Sequence, residues 1–254
     1  MVKVASYNCN SIRKNSEIVK NILNSNDIVC LQELLLSKSD LPVLNDFNEN
    51  FNNIAFVEDR ETQGINEGGP SRGVAIFWRK CFASNVTPIL IDDRIIGLCL
   101  KSDTIKVILL NVYLPCDKQN LEAIHEYRST LAKLKCIIDE QNMDHALLIG
   151  DFNADPFKGR FWNELEGFIN EMSLKILNEE FPHDTFTYLC PAKNTTSWLD
   201  HVVCSKHITN NISKLCVSYN DAIYDHFPLS FELELNFQII KINTSPFIIT
   251  DFVD

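Results

Sequence analysis

Short apolar runs broken by polar clusters recur along the chain, and their periods sort into strands and a few helices. Residues 2–9 alternate loosely in Val, Ala and Tyr. They predict a strand ending in the polar cluster Asn8-Cys9-Asn10-Ser11. Ser16 is expected to cap a helix over 17–24, with Ile18, Ile22 and Leu23 on one face. A second strand is predicted over 27–32, apolar through Ile28-Val29-Cys30-Leu31 and stopped by Gln32-Glu33. The alternation over 46–56 is irregular, and 62–71 is polar and glycine-rich, as surface loops are. A strong core strand is expected from Arg72 to Trp78. Runs over 86–91, 95–100 and 105–112 follow at hairpin-like intervals, turned by Asp92-Asp93 and Ser102-Asp103.

The longest helical stretch is 121–141, with Leu121, Ile124, Leu131, Leu134 and Ile138 marking its apolar side. The apolar run 146–149 then stops abruptly at Gly150-Asp151-Phe152-Asn153, a buried strand running into a tight turn. Residues 161–177 suggest short helices, and Thr185-Phe186-Thr187-Tyr188 is β-branched and aromatic, hence strand-like. Asp200 stands just before a strand, residues 217–223 lead into Tyr224-Asp225-His226, and 231–235 close the core. No repeat or low-complexity linker interrupts the pattern. One domain over 1–235 is expected, with 236–254 a tail or the start of a linker.

A chain of 254 residues, 45% hydrophobic and 22% charged, can bury a sizeable core. No apolar run approaches a membrane span, and the start of the chain shows no secretory signal, so an intracellular protein is expected. Nine cysteines, an odd number without CxxC spacing, fit reduced thiols. Cys30, Cys99, Cys136, Cys204 and Cys216 sit in apolar runs and are expected in the core. A net charge of −11 argues against a broad basic surface and predicts weak, salt-sensitive contacts with nucleic acid.

Asn8, Glu33, Tyr113, Asp151, Asn153, Asp200 and His226 all fall at strand ends or just before strands. Strand ends gather on one sheet edge, where sites form. The set suits metal-assisted hydrolysis of a phosphodiester. Glu33 is a hard oxygen ligand for Mg²⁺, with Mn²⁺ able to substitute. Asp151 is a general base for water, and Asp200 with His226 forms an orienting acid–imidazole pair. Asn8, Asn153 and Tyr113 are donors for developing oxyanions. Asp225 belongs with the metal or its waters, whereas Asp155 reads as a turn cap. His125, His145, His183, His201 and His207 match no ligand spacing.

The chain resembles the exonuclease–endonuclease–phosphatase superfamily. Ser6-Tyr7-Asn8-Cys9-Asn10-Ser11, Cys30-Leu31-Gln32-Glu33, Gly73-Val74-Ala75-Ile76, Asn111-Val112-Tyr113-Leu114-Pro115, Gly150-Asp151-Phe152-Asn153, Ser197-Trp198-Leu199-Asp200-His201 and Asp225-His226-Phe227-Pro228-Leu229 occur in that family's order. The resemblance implies an α/β fold of DNase I type. This is a four-layer α/β/β/α sandwich of two packed, mainly antiparallel sheets flanked by helices.

Within the superfamily, the run from Thr185 to Tyr188 and the later Trp198-Leu199-Asp200-His201-Val202-Val203 look most like the endonuclease domain of non-LTR retrotransposons. Such domains nick one strand of double-stranded DNA and leave a 3′-hydroxyl that primes reverse transcription. The resemblance therefore implies a reverse transcriptase domain in the same polyprotein as partner. It also implies that Thr187 lies near the target phosphate, with Asn10, Arg72, Trp198 and Tyr224 as further substrate contacts. Two positions depart from the pattern: Tyr224 stands where serine is usual, and Trp198 where a basic or small residue is common. Trp198 either stacks on DNA or caps the core. An abasic-site repair nuclease, a phosphatase or phospholipase, and a domesticated binding module remain as alternatives.

Overall fold

The period-two runs become strands, and the computed structural model describes residues 1–58, 73–156, 158–178, 185–190, 192–219 and 225–237. In chain order they form β1 (Val2–Asn8), α1 (Ser16–Ser25), β2 (Ile28–Gln32), β3 (Phe51–Phe56), β4 (Val74–Arg79), β5 (Val86–Leu90), β6 (Ile95–Lys101) and β7 (Lys106–Tyr113). Then come α2 (Leu121–Glu140), β8 (His145–Asp151), α3 (Arg160–Glu171), β9 (Leu174–Ile176), β10 (Tyr188–Cys190), β11 (Thr195–Ser197), β12 (Asp200–Ser205), β13 (Ile212–Val217) and β14 (Leu229–Leu233).

Among the described residues, two six-stranded sheets form, in the orders β13-β14-β1-β2-β4-β3 and β5-β6-β7-β8-β12-β9. Each is antiparallel except for one central parallel pair, β1 with β2 and β7 with β8. One apolar core lies between the sheets and draws on Val4, Cys30, Ile76, Leu98, Leu109, Ile149, Val202 and Phe231. A second seals α2 and α3 onto the outer face of the β7–β8 sheet. A third seals α1 and the 3₁₀ segment Lys38–Asp46 onto the other sheet. The result is the expected four-layer α/β/β/α sandwich. No described helix is long and apolar enough to cross a membrane.

Several local expectations shift. Asn15, not Ser16, flanks the start of α1. In α2 the buried stripe is Ala123, Tyr127, Thr130, Leu131, Leu134 and Ile137, while Leu121 is 74% exposed. Tyr127 anchors that stripe, because its ring stacks 4.1 Å from Phe161 and its hydroxyl donates to Phe152 O at 2.9 Å. Residues 161–177 hold one helix and the short strand β9, and β13 is a further strand. Cys30, Cys99 and Cys204 are buried and free as expected, but Cys136 and Cys216 are exposed. They lie on the outward sides of α2 and of the edge strand β13.

Gly150 is held at φ +143°, and a Cβ there would stand 2.0 Å from Val112 O on the parallel neighbour β7. Gly167, inside α3, has nothing within 4 Å of its missing Cβ. Gly150→Ala is therefore expected to cost about 3 kcal/mol or more. Gly167→Ala is expected to stabilise by about 0.5–1 kcal/mol. Urea unfolding of both variants checks the contrast; equal midpoints would refute it.

Candidate active site

The parallel pairs decide where the polar residues meet. The C-terminal ends of β1 and β2 carry Asn8 and, one residue on, Glu33. Those of β7 and β8 carry Tyr113 and Asp151. Antiparallel β12 opens at the same rim, with Asp200 opposite Asp151. His226 precedes β14 and bridges to Tyr188 of β10.

The side chains join in one network. The Asn8 amide donates to Glu33 Oε1 at 2.9 Å and to Asp151 Oδ2 at 3.0 Å, so one NH₂ links carboxylates from two sheets. Tyr113 OH donates to the same Glu33 oxygen at 2.9 Å. Asp200 Oδ2 meets His226 Nδ1 at 2.9 Å, and His226 Nε2 lies 3.8 Å from Asp151 Oδ2. The Asn153 N–H closes the turn by donating to Asp151 Oδ1 at 2.9 Å. Asn8, Asp151, Asp200 and His226 are all buried.

Burial disfavours the charged form of His226, but the Asp200 and Asp151 carboxylates outweigh it and push the imidazole up to about 10. Burial also raises Asp151, to about 7, against the pull of the His226 charge and the Asn8 amide. Burial and the Glu33 and Asp151 charges drive Tyr113 above the ordinary phenol range, so it remains a donor. Among the described residues His226 makes the ion pairs to Asp151 and Asp200, and Glu33 and Asp225 have none. This surplus of negative charge is a chemical fit for a divalent cation. Among the described residues no group of three or more His, Cys, Asp or Glu converges as a metal cluster. A hard divalent cation held on one or two carboxylates would keep much of its water.

The other candidates are placed unevenly. Asn153 adopts φ 49° and donates one amide hydrogen to Leu114 O at 2.9 Å; its NH₂ has a second. Asn10 is half-buried and donates its N–H to Asn8 Oδ1 at 3.2 Å. Asp225 is adjacent to His226, and its buried Oδ1 has no hydrogen-bond partner. Thr187 is fully buried, with its hydroxyl accepting the Leu199 and Asp200 N–H groups at 3.0 Å. It fixes where β12 begins, and its hydroxyl is not open to a phosphate. Trp198 is buried, which matches capping of the core and not an open stacking face. Arg72, Tyr224 and His183 lie outside the described residues. His201 is buried, kept neutral by burial and bonded to Ala154 O at 2.7 Å, a structural role.

Two contributors were missed. Arg94, only 8% exposed, donates to Tyr113 O at 3.1 Å and to Glu126 at 2.6 Å, and lies 5.5 Å over the Tyr113 ring. The Tyr188 ring packs edge-on against His226 at 4.9 Å. Arg94 sits in a hairpin turn, where arginine carries no special signal. Tyr188 was seen only as a strand residue.

The raised folded-state value of His226 gives a stabilisation that is complete below its ordinary 6.5 and is lost as pH rises through about 10. In metal-free protein the His226 ring is expected to titrate near 10 by NMR. Asp200→Asn should lower that by about one to three units and flatten the alkaline loss of stability. An unmoved titration would refute the pairing.

The Endonuclease/Exonuclease/phosphatase family profile matches residues 5–227. No curated protein gives a significant match. Among solved structures, the AP endonuclease LMAP from Leishmania major is similar at TM-score 0.73 and 12% identity, over 92% of this chain and 88% of that one. The endonuclease domain of TRAS1, a telomere-specific non-LTR retrotransposon, is similar at TM-score 0.66 and 16% identity, over 92% of this chain and 98% of that one. The 3′ phosphatase NExo from Neisseria, bound to product DNA hairpin, is similar at TM-score 0.69 and 17% identity, over 92% and 100%. At such identities the likeness speaks to the fold, and it agrees with the two-sheet architecture. The match over residues 5–227 makes the chain a member of the endonuclease/exonuclease/phosphatase family.

Proposed function

We propose that the chain is a divalent-cation-dependent DNA endonuclease of retrotransposon type, nicking one strand of duplex DNA to leave a 3′-hydroxyl primer. Family membership supports a hydrolytic, nuclease-type function. The finer reading is carried by the network in which Tyr113, Glu33, Asn8, Asp151, His226 and Asp200 meet at one rim. Retrotransposon type is supported by the motif run between Thr185 and Val203. Its β10–β11 hairpin stands beside His226, with the exposed polar residues Lys193, Asn194, Thr195 and Thr196. On this reading residues 236–254 begin a linker toward a reverse transcriptase domain, and the protein works on nuclear DNA.

In the proposed reaction Asp151 takes a proton from the attacking water. Oxygen adds to phosphorus, the bond to the 3′-oxygen breaks, and that oxygen takes a proton from solvent water to become the 3′-hydroxyl, while Asp151 returns its proton to solvent. The phosphate stays on the 5′ side. Charged His226, oriented by Asp200, faces the non-bridging oxygens, and Asn8, Asn153 and Tyr113 add neutral donors. Glu33, and on this reading Asp225, would hold Mg²⁺ or Mn²⁺, whose contribution is electrostatic stabilisation of the phosphoryl charge.

A supercoiled-plasmid nicking assay tests the reading. Asp151→Asn and His226→Ala should each lower nicking by about 10²-fold or more while circular dichroism stays unchanged. Near-normal activity in either would break the role assignments. EDTA should abolish nicking and Mg²⁺ restore it, and the nick ends should prime a polymerase. A strong preference for abasic over intact duplex would move the chain to the repair class. Cleavage of inositol phosphates or sphingomyelin with DNA left intact would move it to the phosphatases.

A further inference from the structure

Beneath the rim network lies a second polar set that the reaction above does not use. Gln32 is fully buried between the sheets, and its Nε2 donates to Ser6 Oγ at 3.0 Å and to Asn111 Oδ1 at 2.6 Å. Asn111, also fully buried, returns its amide to Leu31 O and Ala75 O, each at 2.9 Å. Ser6 and Gln32 belong to β1 and β2 of one sheet, whereas Asn111 belongs to β7 of the other. The set is thus a hydrogen-bonded bolt across an otherwise apolar core.

The bolt repeats the rim one step down on the same strands. Ser6 lies two residues before Asn8, and Asn111 two before Tyr113, so each pair shares a strand face. Gln32 directly precedes Glu33, which leaves its strand at φ 53°. Above, Asn8 and Tyr113 both donate to Glu33 Oε1. Below, Ser6 and Asn111 both accept from Gln32. Apolar packing sets the spacing of two sheets but is non-directional and does not fix how they slide. Hydrogen bonds between amides do.

The arrangement is costly to build. Among the described residues Gln32 Oε1 is enclosed without a hydrogen-bond partner, an orphan that an apolar side chain at this position would not carry. An expensive polar bolt under one carboxylate points to a service other than stability.

We infer that Ser6, Gln32 and Asn111 are positioning residues that hold Glu33 in register with Tyr113 and Asp151, and so set the affinity of the cation site. The inference rests on the reading of Glu33 as a cation ligand. A cation that takes up Glu33 lone pairs competes with the Asn8 and Tyr113 hydrogen bonds. The lower set lies out of its reach and keeps the strands in place.

The test uses the full chain with every bolt residue replaced by an apolar isostere, Ser6→Ala, Gln32→Met and Asn111→Leu together. It should stay folded with a modestly lower urea midpoint, since Asn111→Leu withdraws the amide from Leu31 O and Ala75 O while the three side chains leave no partner unpaired among themselves. Its affinity for Mn²⁺, titrated by electron paramagnetic resonance without DNA, should fall about 10- to 100-fold, as when supporting partners of metal ligands are removed. Nicking should fall with it at unchanged KM for DNA. A folded triple variant that binds Mn²⁺ like the wild type overturns the inference and leaves the endonuclease reading intact. A wild type that binds no Mn²⁺ overturns the role of Glu33 and the bolt together. Should the triple variant not fold, Ser6→Ala alone decides: weaker Mn²⁺ binding supports the bolt, and wild-type binding overturns it.

Discussion

One amide shared by two acids is the constraint around which this molecule is built. Asn8 can reach Glu33 and Asp151 together only if its two sheets stack with their parallel pairs over one another. Everything else at the rim follows from that superposition. Asp200 arrives because β12 pairs antiparallel with β8, and His226 because β14 pairs antiparallel with β1. Negative groups crowd there with, among the described residues, one imidazole paired to them, which an ordinary core would not tolerate. The energy of the surrounding apolar layers is what permits it.

Much of the site was legible because its residues are polar in places where polarity is expensive. A carboxylate or amide closing an apolar run, as at Asn8, Glu33 and Asp151, or opening one, as at Asp200, announces a strand mouth and a candidate role. What sequence could not give was side-chain direction and partner. Thr187 and Trp198 stand in the right segment yet turn inward, one to accept two backbone N–H groups and one to pack. Gln32 and Asn111 were visible inside the matching motifs, but nothing in linear order says that two amides far apart meet across a core.

The fold shows a similar division. The central strands were clear because both their faces are covered and they read as continuous apolar runs. The edge strand β13 is half exposed and broken by a bulge between Ser213 and Cys216, so its period is lost. β9 spans three residues, too few to display a period. In α2 a stripe chosen by aliphatic residues alone slid off its true line, because the fully buried Tyr127 lies on that line with Leu134.

The hydroxyl of Tyr127 ends on the carbonyl of Phe152, the residue that follows Asp151. A helix on the outer layer is therefore wired to the peptide unit beside the acid proposed to activate water. Its far face looks to solvent, while Tyr127 on its inner face holds the turn by that one bond. Distance along the surface is a poor guide to mechanical distance in this protein.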